Sequence, residues 1–251
     1  MNVGHAGEMK WVPVVMEAMG GAGAVIFYAR FYLQWIASEI QKKSVGPVAF
    51  WYMSSIGALM LFTYGIYTVS PVGALSFGFN IVVYSRNLIH IWREQGTLSK
   101  RRYWMVHAIV LAVALVAGAL ILATWILEYH AVKDASPEVF RRTWIWLGIG
   151  VVGQGLFACR FAIQWIATET QGKSVIPVAF WYLSLVASVL LAASFWQRAE
   201  WIYVVGLATT IPIYARNLWL IRMARDPESL GEVVREDPAA PLPPERNTSA
   251  L

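Results

Sequence analysis

Residues 30–54 read RFYLQWIASEIQKKSVGPVAFWYMS and residues 160–184 read RFAIQWIATETQGKSVIPVAFWYLS, with 18 of the 25 aligned pairs identical. The offset of 130 holds without a gap as far as Tyr84-Ser85-Arg86-Asn87-Leu88 against Tyr214-Ala215-Arg216-Asn217-Leu218, so a unit of roughly 75 residues occurs twice. The matched residues are mainly polar ones in apolar surroundings. An apolar membrane core can be refilled by many residue combinations, whereas an Arg or Gln within it needs a partner. The repeat therefore points to a site shared between two half-molecules.

The surroundings decide the class. The chain is 58% hydrophobic and 14% charged, with thirteen Trp, outside the proportions of a soluble domain. Apolar stretches of spanning length, about 20 residues each, fall near 12–37, 46–68, 72–92, 104–128, 143–168, 177–197 and 200–221. A membrane barrel would show alternating segments of about ten residues, whereas these runs are continuous. The expectation is an all-α integral membrane protein with seven transmembrane helices. Residues 12–92 and 143–222 form two three-helix repeats, and 93–142 is a linker with the fourth span.

Charge sets the orientation. Residues 1–225 hold 18 basic and 9 acidic side chains, net +9, and residues 226–251 hold six acids and two arginines, net −4. The tail, rich in Pro, Ala and Glu, has no apolar face to bury and is expected to be a disordered cytoplasmic segment. Lys42, Lys43, Arg93, Lys100, Arg101, Arg102, Lys173, Arg222 and Arg225 flank one side of the membrane, against Lys10, Lys133, Arg141, Arg142 and Arg198 on the other. The positive-inside rule places the larger set in the cytoplasm, with the N-terminus outside and the C-terminus inside. Three helices per unit would invert the second copy, and the linker span restores parity, giving parallel repeats about an axis along the membrane normal.

Arg30 and Arg160 precede Glu39 and Glu169 by nine residues, which buries them roughly 13 Å from the helix ends. Arg86 and Arg216 lie at comparable depth in the third and seventh spans. A cation so placed costs about 2.5 kcal/mol or more near the bilayer centre, and such residues usually face a bundle interior or a wet cavity. Snorkelling to the interface is the alternative. Arg30, Gln34 and Ser38 form one stripe at i, i+4, i+8, repeated as Arg160, Gln164 and Thr168; Asn80, Tyr84 and Asn87 form another, echoed by Thr210, Tyr214 and Asn217. Interhelical hydrogen bonding would explain the neutral residues, but a guanidinium is a costly adhesive and a good bidentate phosphate clamp. If Glu39 and Glu169 each neutralise one arginine, two positive charges remain, and the cavity favours an anion.

The candidate substrate-binding set is thus Arg30, Gln34, Glu39, Lys43, Tyr84, Arg86, Asn87, Arg160, Gln164, Glu169, Lys173, Tyr214, Arg216 and Asn217. Lys43 and Lys173 form a basic lip, and the adjoining Ser44 and Ser174 are expected to cap helices whose first turns hold Pro47 and Pro177. Phe50-Trp51-Tyr52 and Phe180-Trp181-Tyr182 suit an interfacial aromatic belt. Gly148–Gly153 spells GxGxxG, but it follows no strand, so small-residue helix packing is the better reading. Cys159 is the single cysteine and reads as a packing thiol. The histidines lack metal-ligand spacing, and no cofactor, metal or catalytic constellation is expected.

The string RF-x-x-QWIA-[ST]-E-x-Q-x-KSV-x-PVAFWY-x-S, followed by YxRNL, resembles the lipid A biosynthesis N-terminal domain, a small membrane module that precedes some lipid-A-disaccharide synthases. Both copies match. The resemblance implies a tandem form without the glycosyltransferase domain, hence not an enzyme, in the bacterial inner membrane. More distantly, the three-one-three layout resembles the PQ-loop and SWEET transporters, although the proline before their glutamine is here Leu33 or Ile163.

These readings converge on a carrier or flippase-like protein for a phosphate-bearing phospholipid, glycolipid or polyprenyl phosphate of envelope biosynthesis. Its expected partners are that lipid, the membrane and a glycosyltransferase, with no nucleic acid. A SWEET-like transporter of a neutral sugar and a non-catalytic accessory subunit are the alternatives.

Overall fold

The structure, a computed structural model, describes residues 11–41, 47–171 and 177–223. Among them are seven helices and no strand: α1 (Trp11–Gln41), α2 (Val48–Tyr67), α3 (Pro71–Glu94), α4 (Lys100–Val132), α5 (Pro137–Gln171), α6 (Val178–Gln197) and α7 (Trp201–Met223). Each falls on one of the seven apolar stretches. Long segments in α1, α2, α4, α5 and α6 are apolar enough to cross a membrane. At 24 and 23 residues, α3 and α7 reach about 35 Å. Asn80, Arg86 and Asn87 in one and Arg216 and Asn217 in the other dilute their apolar character.

Helix α1 packs on α2 and α2 on α3, and α5 to α7 repeat the pattern. The two sets meet through α1 against α7 and α3 against α5, while α4 leans mainly on α3. Only Ala117 and Thr124 of α4 are buried. Its Trp104, Leu111, Leu115, Val116 and Leu122 point outward, far more apolar surface than a protein in water leaves exposed. This is a membrane protein.

Equivalent turns keep the same backbone geometry even where their residues differ. The turns into α3 and α7 place Val69 (φ 51°) and Ala199 (φ 56°) in the left-handed region, an unusual conformation for a β-branched valine. The same backbone bond closes both turns, from Ser70 N to Gly65 O (2.8 Å) and from Glu200 N to Phe195 O (3.0 Å). Ser70 also caps α3 by accepting from Gly73 N at 3.1 Å, with Pro71 in the first turn. By contrast α2 and α6 start after Pro47 and Pro177, which occupy the N-cap itself without a side-chain bond. The expected serine caps are thus replaced: proline sits where Ser44 and Ser174 were to cap, and those serines lie outside the described residues, as does the 226–251 tail.

The core gathers around Tyr203, 1% exposed, with Leu61, Val72, Phe77, Leu191 and Phe195 against it. Close approach depends on glycine. A Cβ on Gly150 would lie 2.8 Å from Val72, and one on Gly153 2.9 Å from Leu191, so part of the GxGxxG string serves helix packing.

Candidate functional site

Arg30 on α1 is 6% exposed. Its Nη1 donates to the Tyr84 hydroxyl at 2.9 Å. Its guanidinium carbon lies 3.6 Å from the Phe27 ring centre and 4.9, 5.2 and 5.3 Å from those of Phe31, Tyr84 and Phe50. Arg160 on α5 repeats the arrangement: Nη1 donates to Tyr214 (3.3 Å) and Ser184 (3.0 Å), with Phe157, Phe161 and Phe180 at 4.2, 4.6 and 5.1 Å. Aromatic faces attract a desolvated cation by about 2 kcal/mol, which offsets part of the cost of burial without cancelling the charge.

Neither arginine is neutralised by a described residue. Among the described residues no carboxylate lies within 4.0 Å of either guanidinium, and both Nε atoms are buried with no hydrogen-bond partner. Buried polar groups are normally satisfied, so two unpartnered donors at equivalent positions are an exception that helix packing alone does not explain.

Both arginines line one cavity of about 100 Å³ between the repeats, with Tyr28, Ser76, Asn80, Tyr84, Gln154, Thr210 and Tyr214 as its other polar residues. At one end Tyr203 closes it, stacked on Phe77 (5.5 Å between centres) and tilted on Phe195 (4.8 Å). Across the wall Ser76 donates to Gln154 Oε1 at 2.9 Å, joining α3 to α5.

Arg30, Tyr84, Arg160 and Tyr214 are therefore brought together as the repeat pattern implies. Arg86 and Arg216 are not: both are exposed and absent from the cavity wall. Two residues along a helix turn the side chain about 200°, so these arginines face away when Tyr84 and Tyr214 face in. Of the four repeated arginines, two line the cavity. The Asn87 and Asn217 amides donate to carbonyls of their own helices, Val83 O and Ile213 O, each at 2.8 Å. Gln34 and Gln164 are half-buried outside the cavity lining. The side chains of Glu39 and Glu169, and Lys43 and Lys173 altogether, lie outside the described residues. Phe50 and Phe180 serve the arginines, and Tyr52 and Tyr182 accept bonds from the equivalent residues Trp92 (2.8 Å) and Arg222 (3.1 Å). Cys159 is exposed instead of packed, since it lies on the side of α5 away from the partner helices.

Tyr28, Ser76 and Gln154 escape sequence reasoning because they do not repeat; their counterparts are Ala158, Gly206 and Ala24. A second polar cluster was equally hidden. Arg198 binds Glu128 of α4 through Nη1 (2.8 Å) and Nη2 (3.1 Å), and Glu200 through Nε (2.8 Å). Glu200 in turn accepts from Ser70 at 2.6 Å. Burial pushes the Glu200 carboxyl above the usual carboxylate range, outweighing the Ser70 hydroxyl and Arg198, which favour its ionised form.

Two like half-bundles enclosing a cationic, aromatic-walled chamber define a membrane protein with internal pseudo-symmetry. The lipid A biosynthesis N-terminal domain model matches residues 19–89 and again 149–219, more than half the chain, and the chain belongs to that family. It is similar to the lipid-A-disaccharide synthase of Chlamydia abortus, 36% identical over 186 residues, which are 70% of this chain and 28% of that protein. The Chlamydia felis synthase is 29% identical over 223 residues, 85% of this chain and 34% of the relative. The chain thus spans about a third or less of the curated relatives it matches. No solved structure matches it significantly.

Proposed function

We propose that this protein is a flippase-like carrier of the bacterial inner membrane that binds a phosphate-bearing glycolipid or polyprenyl phosphate of lipid A or envelope biosynthesis. The observation that carries the reading is the pair Arg30 and Arg160, contributed by opposite repeats to one cavity and unopposed by any described carboxylate. A phosphate supplies the acceptor oxygens that their free Nε groups lack.

In this reading all seven helices span, as two parallel three-helix repeats around the linker α4, with the N-terminus outside and the C-terminus inside. The boundaries 12–92, 93–142 and 143–222 delimit these parts. The end closed by Tyr203 and the Glu200 cluster then faces outward, and rocking of the repeats exposes the chamber to either side. Lys43, Lys173, Glu39 and Glu169 are assigned to head-group entry on their sequence positions alone, and Arg86, Arg216, Gln34, Gln164, Asn87 and Asn217 meet the head group only transiently. The chain performs no chemistry on the lipid. A neutral-sugar transporter would gain nothing from two unpaired cations.

The synthase names of the relatives favour one second reading, an accessory subunit that presents lipid to a glycosyltransferase. It predicts co-purification with that enzyme and no lipid movement by the protein alone.

The test is binding of a polyprenyl phosphate to the full chain in nanodiscs. Arg30→Ala with Arg160→Ala is expected to weaken binding by at least about 100-fold, from roughly 1.5–3 kcal/mol per charged hydrogen bond lost. Unchanged binding removes the anion clamp.

A further inference from the structure

The chamber is symmetric in its charges and asymmetric in its neutral polar groups. Arg30 and Tyr84 have equivalents in Arg160 and Tyr214. On one side, however, Ser76 and Gln154 bridge α3 and α5, while the equivalent positions across the axis, Gly206 and Ala24, offer no side-chain hydrogen bond. There the Tyr28 ring fills the space over Gly206 instead. A phosphate held between the arginines uses only the symmetric part. The one-sided part calls for a second group on the ligand.

Its chemistry follows from what is open. Asn80 lines the cavity and makes no side-chain hydrogen bond to the described residues. Gln154 accepts through Oε1, and its amide N–H groups meet no acceptor among the described residues. A phosphate is an acceptor and needs donors only, whereas an amide side chain both donates and accepts. Mixed groups of this kind match hydroxyls, which do the same. The rings of Phe77 on α3 and Phe157 on α5, which also line the cavity, suit the C–H faces of a sugar. At roughly 10–15 Å³ of such space per water, about 100 Å³ holds roughly seven to ten waters. That is room for one sugar ring.

We propose that Ser76, Asn80 and Gln154 form a sugar subsite, so that the ligand is a lipid phosphate bearing a single monosaccharide. The proposal rests on the phosphate-lipid reading above and narrows it. The ring lies against the α3–α5 wall, its hydroxyls bonding Asn80 and the Gln154 amide, while the phosphate stays on Arg30 and Arg160.

The experiment compares two probes on the full chain in nanodiscs: a polyprenyl phosphate and the same lipid carrying one hexose on the phosphate. Two added hydrogen bonds at about 0.5–1.5 kcal/mol each predict roughly tenfold tighter binding of the glycosylated probe by the wild type. Asn80→Leu with Gln154→Leu should weaken the glycosylated probe about tenfold more than the bare one. Equal affinity of the wild type for both probes overturns the subsite, with or without a folded variant, as does a variant that weakens both equally or neither. Those outcomes leave the phosphate reading standing. That reading fails separately if the Arg30→Ala, Arg160→Ala protein binds the bare phosphate as well as wild type does.

Discussion

The Ser70 hydroxyl donates a 2.6 Å hydrogen bond to Glu200 Oε2, and each residue occupies the other's place in its own repeat, 130 positions away. Contact between equivalent positions puts both on the pseudo-twofold axis, where the turns into α3 and α7 touch. The repeats diverged there into a donor and an acceptor, because two serines would bond weakly and two glutamates would repel. Arg198 and Glu128 then tie this junction to α4.

Glu200 makes that junction sensitive to acid. Its carboxyl is raised above the ordinary value of 4.5, so the folded chain holds the proton more tightly than the unfolded chain does. Stability then falls as pH rises from about 4.5 through the folded value, and is regained on acidification. Glu200→Gln fixes the neutral form. In melting curves the wild type should gain on this variant as pH drops from neutral towards about 4.5; a constant difference would contradict the raised carboxyl.

Replacing the chamber arginines should separate fold from ligand. A buried charge without an ionic partner costs folding energy, and an apolar side chain of similar length restores packing. Arg30→Met with Arg160→Met is expected to melt no lower than wild type without ligand, yet to lose the thermal shift caused by a polyprenyl phosphate. A large fall in the ligand-free melting temperature would mean that the arginines are structural glue.

Helix approach can be probed at two glycines of opposite expectation. A Cβ on Gly57 would sit 2.8 Å from Phe27 N and 2.9 Å from its Cα, and backbone cannot yield as a side chain can. Gly57→Ala should destabilise by about 1–3 kcal/mol. Gly155 has nothing within 4 Å of the same position, so Gly155→Ala should stay within about 0.5 kcal/mol of wild type. Chemical denaturation in detergent measures both.

Tyr203 seals the chamber with its ring and its hydroxyl, which donates to Leu61 O at 2.9 Å. Tyr203→Phe removes that hydrogen bond and should cost about 1 kcal/mol. Tyr203→Ala opens a void among Phe77, Phe195 and Tyr64 and should cost about 3–5 kcal/mol. If Phe proves as costly as Ala, the hydroxyl, not the packing, holds the closure.

Arg30, Tyr84, Arg160 and Tyr214 were legible before any coordinates because duplication marks them: a polar residue kept at both places of a diverged repeat stands out from an apolar background. Repetition says nothing of facing, and Arg86 and Arg216 repeat equally well while pointing away from the chamber. That choice follows from a rotation of about 200° relative to their tyrosine neighbours, and which face turns inward is set by where α3 and α7 pack. Conversely Ser76 and Gln154 meet only because α3 crosses α5 between repeats, 78 positions apart, and no pattern along the chain records that crossing.

By itself, then, the amino-acid order determined the helices, their number and the doubled unit, since hydrophobic run length and the 130-residue offset are local or periodic properties of the chain. The tertiary structure alone decided which cations remain unpaired, which neutral groups join them and where the axis is tied, because each of these depends on side chains from different repeats coming within hydrogen-bond distance.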